Sequence, residues 1–188
     1  MKIVPDTKDW TWVLERPCPE CGFNTNSFDV ADLPAMIRAI AAAWLDALLM
    51  GGIGGNLFSR PAPDKWSPLE YTCHVRDVFK LYDYRLALML SEDNPLFPNW
   101  DQDETALAER YGEQDPNVVK QEFRDAAAAV ASRFAGVQAG QWQRLGRRGD
   151  GAHFTIDTFG RYFIHDPIHH LYDVTGDRYG DVIVNWPA

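Results

Sequence analysis

Apolar residues recur at intervals of three and four in four separate stretches of the chain, a spacing that places them on one face of an α-helix. The predicted helices cover about residues 29–50, 67–91, 115–134 and 155–174. Aspartate or serine precedes the first three patterns, and a proline follows in the first turn, as is typical of helix N-termini. Four amphipathic helices without a convincing strand predict an all-α fold, a four-helix bundle.

The segments outside these helices show no clear periodicity. Residues 92–114 form a long predicted loop, with one helical turn expected at 104–110, and the polar, Gly/Arg-rich residues 138–153 are also predicted as loop. The chain is therefore divided into an irregular N-terminal extension, residues 1–28, and a bundle with a short C-terminal tail, residues 29–188.

Composition narrows the function classes. The chain has 188 residues, which suits one domain, and 46% of them are apolar, which disfavours disorder. Acidic residues outnumber basic ones by 27 to 18, so the net charge of −9 disfavours partners such as nucleic acids and anionic membranes. An aromatic content of 13% is compatible with a homodimer that buries some of the rings.

Location is inferred from apolar stretches and cysteines. The longest apolar stretch, residues 35–50, is broken by Arg38 and Asp46 and is shorter than a membrane span, so none is expected. The N-terminus lacks a signal-peptide pattern, and an odd count of three cysteines does not suggest a disulfide scaffold. We therefore expect a cytoplasmic protein with reduced thiols.

Two histidines of the fourth predicted helix have metal-ligand spacing. His165 and His169 are four residues apart, so their imidazoles lie about 40° apart on one face and can share a cation. His170 lies about 140° from His165 on a regular helix. A bend at Pro167 would turn His170 inward instead. The spacing favours His169, with His170 as the alternate ligand.

A third ligand is expected from the second helix. His74 lies on its apolar face, and three protein ligands with open positions are typical of a catalytic metal centre. Asp77 and Asp166 are candidates to hold a ring N–H of a ligand histidine. Helical histidines are also often surface residues or satisfied core groups, so the spacing leaves an interpretation without metal open.

A second candidate site lies in the N-terminal extension. Cys18 and Cys21 form a Cys-x2-Cys pair, which is half of a tetrahedral zinc site. Closing that site would need Cys73, a histidine such as His153, or another subunit. A plain turn with two free thiols and a redox pair are the alternatives.

Two blocks of sequence, WSPLEYTCHVRD at 66–77 and RYFIHDPIHHL at 161–171, resemble the DinB-like family of metal-binding four-helix bundles. The family includes thiol-dependent transferases and the metal-binding domain of mycothiol-dependent maleylpyruvate isomerase. A Trp-Asp pair at 100–101 also resembles a feature of the family, and the resemblance covers about residues 30–176. It implies metal ligands at His74, His165 and His169.

The resemblance also implies a reaction class. It indicates that the protein binds one divalent transition metal, with zinc and nickel as the favoured ions. Related enzymes also use a low-molecular-weight thiol, such as mycothiol or bacillithiol, as a cofactor. A dication lowers the pKa of a bound thiol or water and so supplies a nucleophile. The expected function is a metal-dependent thiol transferase or hydrolase acting on a small molecule. The alternative is a non-catalytic metal- or ligand-binding module in a stress or regulatory role.

Overall fold

The computed structural model describes residues 10–52, 54–62 and 65–182. Within them the helices are α1 (Leu33–Met50), α2 (Pro68–Ser91), α3 (Gln102–Ala108), α4 (Pro116–Ala135), α5 (Ile156–Thr175) and α6 (Tyr179–Val182). The strands are β1 (Leu96–Phe97), β2 (Leu145–Arg148) and β3 (His153–Thr155). The last residues of the predicted tail, 183–188, lie outside the described part of the chain.

The predicted four-helix bundle is confirmed: α1, α2, α4 and α5 pack around one apolar core. Local signals set where the long helices begin. The Ser67 side chain accepts a hydrogen bond from the Glu70 amide, and the Glu70 carboxylate accepts one from the Ser67 amide. This capping box satisfies two N–H groups that the helix itself leaves unpaired.

A small sheet corrects the prediction of loop over residues 138–153. Strands β2 and β3 pair antiparallel, and β1 pairs parallel with β2. The prediction was wrong for the paired residues because strands of two to four residues are too short to show a period-2 pattern. The sheet packs closely against α2 at Gly146 of β2, where a Cβ atom would lie 2.8 Å from the Met89 side chain.

Helix α1 lies in the core of the bundle, although its composition alone would allow another interpretation. Residues 30–50 are long and apolar enough to cross a membrane, contrary to the expectation from sequence. Half of the most apolar window is nevertheless buried inside the protein. The indole of Trp44 donates a hydrogen bond of 2.8 Å to the Pro167 carbonyl of α5. This packing is that of a bundle core helix.

The described part of the N-terminal extension, residues 10–28, packs against α5. Arg161 of α5 donates hydrogen bonds to the carbonyl oxygens of Thr25 and Phe28. The Cys21 carbonyl accepts a hydrogen bond of 2.9 Å from the Tyr179 amide of α6. The extension therefore covers one side of α5, the helix that carries most of the candidate ligands.

Candidate metal centres

Helix α5 presents two pairs of potential metal ligands. His165 and His169 form one pair, Asp166 and His170 the other, and each pair is spaced by four residues. Because successive residues are turned by about 100°, the two pairs lie on neighbouring stripes of the helix. The helix is continuous from Ile156 to Thr175, with Pro167 inside it. Each stripe contacts a different partner element.

The first group, which we call the bundle centre, comprises His74, Asp166 and His170. The His74 Nε2 atom lies 3.5 Å from one Asp166 oxygen, and the His170 Nε2 atom lies 3.9 Å from the other. One potential ligand atom from each residue lies within 4.8 Å of the others. Two imidazoles and a carboxylate thus converge between α2 and α5.

Hydrogen bonding inside the bundle centre is incomplete. Both ring nitrogens of His74 and the Oδ1 atom of Asp166 are buried without a hydrogen-bond partner among the described residues. The His74 side chain is fully buried, and a separation of 3.5 Å is too long for a well-formed hydrogen bond. Leaving one such group unpaired costs about 1–3 kcal/mol. A cation between these atoms would satisfy them.

Burial and charge set the protonation of the bundle centre. Burial lowers the pKa of His74, so its ring is neutral, as a metal ligand must be. Burial alone would raise the pKa of Asp166, but the neighbouring imidazoles of His74 and His170 favour the carboxylate, outweigh burial and lower that pKa to about 2. Burial alone would lower the pKa of His170, but the carboxylates of Asp166 and Asp173 outweigh burial and raise that pKa. The group therefore carries a carboxylate that favours positive charge beside it.

Neighbouring side chains fix the two imidazoles. Trp100 stacks on His74 with ring centroids 5.4 Å apart, and Trp66 approaches the same ring edge-on at 5.2 Å. The His170 Nδ1 atom lies 3.0 Å from an Asp173 oxygen, which leaves Nε2 directed toward Asp166. A carboxylate behind a ligand histidine is a common support in metal sites.

A cavity of about 900 Å³ opens beside these residues. Asp166 and His170 lie on its wall, together with His165 and His169. Its volume is within the range of small-molecule sites. The wall also includes apolar side chains, the exposed His153, and a set of aromatic, basic and acidic groups: Trp10, Tyr82, Trp100, Tyr162, Arg85, Arg148, Asp101, Asp103 and Asp150.

The second group, which we call the cysteine centre, joins the N-terminal extension to α5. It comprises Cys18, Cys21, His165 and His169, all buried, with their ligand atoms within 4.8 Å of one another. The Cys18 sulfur lies 3.6 Å from the Nδ1 atom of His169, and the Cys21 sulfur lies 3.8 Å from the Nε2 atom of His165.

The structure distributes the predicted ligands over both groups. His165 and His169 lie with the cysteines, whereas His74 lies with Asp166 and His170. The three predicted ligands do not come together as one group in the structure. Whether His74, His165 and His169 bind metal stays a prediction. The sequence analysis missed that Asp166 and His170 have the same four-residue spacing as His165 and His169. It considered Asp166 only as a hydrogen-bond partner of a ligand histidine and not as a ligand itself.

Other candidates lie elsewhere. The Asp77 carboxylate accepts hydrogen bonds from Arg76 and from the Tyr111 hydroxyl, and it belongs to neither group. Cys73, considered as a partner of the Cys-x2-Cys pair, lies on α2 with its sulfur 3.5 Å from the Gln114 side-chain oxygen. His153, also considered, is exposed in β3.

Comparison with known proteins places the fold. Residues 49–174 match the family model of the DinB superfamily. Among solved structures, the chain is similar to YfiT from Bacillus subtilis, described as a probable metal-dependent hydrolase with an unusual four-helix bundle topology. The TM-score is 0.69 at 16% identity, over 79% of this chain and 87% of that chain, a likeness that shows the fold. The comparison with curated proteins finds no match.

Proposed function

This chain belongs to the DinB superfamily, and on that premise we propose that it is a metal-dependent hydrolase of a small molecule. The bundle centre, His74, Asp166 and His170, would hold the metal. The observation that carries the proposal is the set of buried, unpaired atoms on His74 and Asp166. Unpaired buried polar atoms are rare in proteins and call for a partner such as an ion.

The donor set fits a divalent transition metal. Two imidazoles and one carboxylate suit zinc, nickel, iron or manganese, and we propose zinc or nickel as the native ion. Three protein ligands leave coordination positions open, as catalytic sites require. YfiT, which shares the fold, is described as a probable metal-dependent hydrolase, and this supports the same reaction class here.

Each part of the centre has a separate task. The bound ion would supply a nucleophile by lowering the pKa of coordinated water. Asp173 holds His170 with one ring nitrogen directed into the centre, and the two indoles of Trp66 and Trp100 shield His74 from solvent. The adjoining cavity would hold the substrate against the wall that includes Asp166 and His170.

Metal binding is the first test. Mn²⁺ prefers nitrogen and oxygen ligands over thiolates, so it probes the bundle centre selectively. We expect one equivalent of Mn²⁺ to bind the untagged protein, and His170→Gln and Asp166→Asn to weaken binding at least tenfold. The matched control is His153→Gln, an exposed histidine outside both groups, which should bind like the wild type. Unchanged Mn²⁺ affinity in both ligand variants would refute the assignment.

Turnover is the second test. Protein loaded with zinc, nickel or manganese is assayed against a panel of small esters, amides and lactones. The proposal expects hydrolysis that chelation removes and that both ligand variants lose. Turnover only with an added low-molecular-weight thiol would show a thiol transferase instead. Stoichiometric metal with no turnover on either panel would favour the non-catalytic metal- or ligand-binding module.

Location and assembly extend the proposal. We propose that the protein acts in the cytoplasm, in keeping with three buried cysteines that are free. The homodimer stays a prediction, and sedimentation equilibrium of the untagged protein tests it.

A further inference from the structure

We propose that Cys18, Cys21, His165 and His169 form a structural zinc site that fixes the N-terminal extension to α5. This cysteine centre is distinct from the bundle centre and supplies no ligand to the metal of the proposed hydrolysis. It completes the Cys-x2-Cys half-site with ligands from a different part of the chain: Cys18 and His169 are separated by 151 positions.

The sulfur–nitrogen distances are those of tetrahedral zinc. With Zn–S and Zn–N bonds of about 2.3 and 2.0–2.1 Å, a tetrahedral angle separates sulfur and nitrogen by about 3.6 Å. The two observed distances are 3.6 Å, from Cys18 to His169, and 3.8 Å, from Cys21 to His165. Each histidine thus directs a ring nitrogen at one sulfur. The side chains need little movement to enclose an ion.

The sequence spacing also fits. Cys-x2-Cys and His-x3-His are the two halves of a common Cys2His2 zinc arrangement. The turn that carries the cysteines is closed by hydrogen bonds from the Gly22 amide to the Cys18 carbonyl and from the Cys18 amide to the Phe23 carbonyl. Gly22 has φ +79°, a conformation that favours glycine. The turn therefore holds both sulfurs on the side that faces α5.

Charge balance supports zinc in this buried position. Zn²⁺ with two thiolates and two neutral imidazoles has no net charge, which limits the cost of burial. Binding breaks two S–H bonds, forms two Zn–S bonds, and releases both protons to solvent. Thiolate ligands also favour zinc over magnesium, calcium or manganese. Among the four ligand residues, none is more than 6% exposed.

Four protein ligands fill a tetrahedral shell, so the site is structural. A catalytic zinc keeps a position for water or substrate, whereas a structural zinc does not. The site joins the extension to α5, and Trp10 packs on both histidine rings at 5.6 and 5.0 Å. Because Trp10 also lies on the cavity wall, zinc would fix one side of that cavity.

Zinc content and cobalt spectra test the proposal. Untagged protein is dialysed against a weak chelator, and bound zinc is measured for wild type, Cys18→Ser/Cys21→Ser and Cys73→Ser. Cys73 is the matched control, a buried free thiol outside both centres. Each protein is also made with His170→Gln, which removes a ligand of the bundle centre. In that background we expect about one retained zinc without a cysteine change and with Cys73→Ser, and its loss with Cys18→Ser/Cys21→Ser. Co²⁺-loaded wild type should show a thiolate-to-cobalt charge-transfer band.

Thiol protection in the wild type tests the site without any substitution. Alkylation with iodoacetamide, followed by mass spectrometry, should modify Cys18 and Cys21 at least tenfold more slowly with zinc than after its removal. Equal alkylation rates, or a cobalt complex without the charge-transfer band, would overturn the proposal even if the double variant fails to fold. Zinc retained by a folded Cys18→Ser/Cys21→Ser variant that also carries His170→Gln, and so lacks a ligand of the bundle centre, would overturn it as well.

The outcome is separable from that of the proposed hydrolase. His170→Gln removes a ligand of the bundle centre only, so it should lose Mn²⁺ binding and keep the dialysis-resistant zinc. The cysteine variant should lose that zinc and keep the Mn²⁺ site if it folds. Either centre can therefore be refuted while the other stands.

Discussion

Replacing Asp173 by asparagine should weaken metal binding at the bundle centre. The Asp173 carboxylate lies 3.0 Å from the Nδ1 atom of His170 and 2.7 Å from the Lys65 ammonium group. Its side chain is 5% exposed, so solvent screens these contacts little. The carboxylate holds the proton on Nδ1 and keeps Nε2 of His170 available to a metal. Asp173 is thus a positioning residue that acts through His170.

The expected size follows from the contact that is lost. Removing the carboxylate behind a ligand histidine costs about 10–100-fold in metal affinity, or about 1.4–2.8 kcal/mol. Asparagine keeps an oxygen that can still accept the His170 proton but loses the negative charge. We therefore expect Asp173→Asn to weaken Mn²⁺ binding by about tenfold, the lower end of that range.

Mn²⁺ titration by calorimetry, against a competing chelator, measures this change. Manganese is the chosen probe because Asp173 also lies 3.9 Å from His169 of the cysteine centre, where thiolates disfavour Mn²⁺. The matched control is Asp177→Asn, an exposed aspartate four residues later, which should leave the affinity unchanged. Affinity within twofold of wild type for Asp173→Asn, or equal losses in both variants, would refute the reasoning.

Three further predictions concern stability, each measured as the free energy of unfolding in urea. Gly160→Ala should cost about 1–3 kcal/mol because a Cβ atom would lie 2.5 Å from a leucine methyl of α1, whereas Gly140→Ala, which meets nothing within 4 Å, should stay within about 0.5 kcal/mol. Ser67→Ala should cost about 1 kcal/mol through loss of the α2 cap, and no change would contradict the capping role. Burial alone would raise the pKa of Glu70, but hydrogen bonds from Arg60 and Ser67 outweigh it and lower that pKa. The stabilisation from the Glu70 carboxylate is therefore present above the unfolded pKa of about 4.3 and is lost as pH falls through the folded pKa. The difference in the free energy of unfolding between wild type and Glu70→Gln should accordingly become smaller below about pH 4. A difference that does not change with pH would contradict this reasoning.

The long helices were predictable because their signals are local. The capping box at Ser67 and Glu70, and the proline at position 116, lie within four residues of the helix start that they specify. The short strands were not predictable, because the pairing of residues 145–148 with β1 depends on a contact across about 50 positions. A pattern of three or four residues contains no information about such a partner.

The candidate centres were predictable only in part. Spacing alone identified His165 and His169 as a pair, and His74 as a residue on an apolar face. It could not show which stripe of α5 faces α2 and which faces the extension, because that depends on the rotation of the helix in the bundle. Cys18 and Cys21 were recognised as half a site, but their partners are more than 140 positions away.

Because the two ligand pairs alternate along α5, the centre that each residue reaches depends on its rotational position in the helix. One extra residue absorbed upstream within the helix would turn every later position by about 100°. His165 and His169 would then face His74, while Ile164 and Ile168 would face the thiols, so the bundle centre would acquire three histidines and the cysteine centre would vanish. A one-residue deletion would instead bring Asp166 and His170 to the thiols. Length changes inside α5 therefore alter both centres together, whereas a point substitution at a ligand affects one.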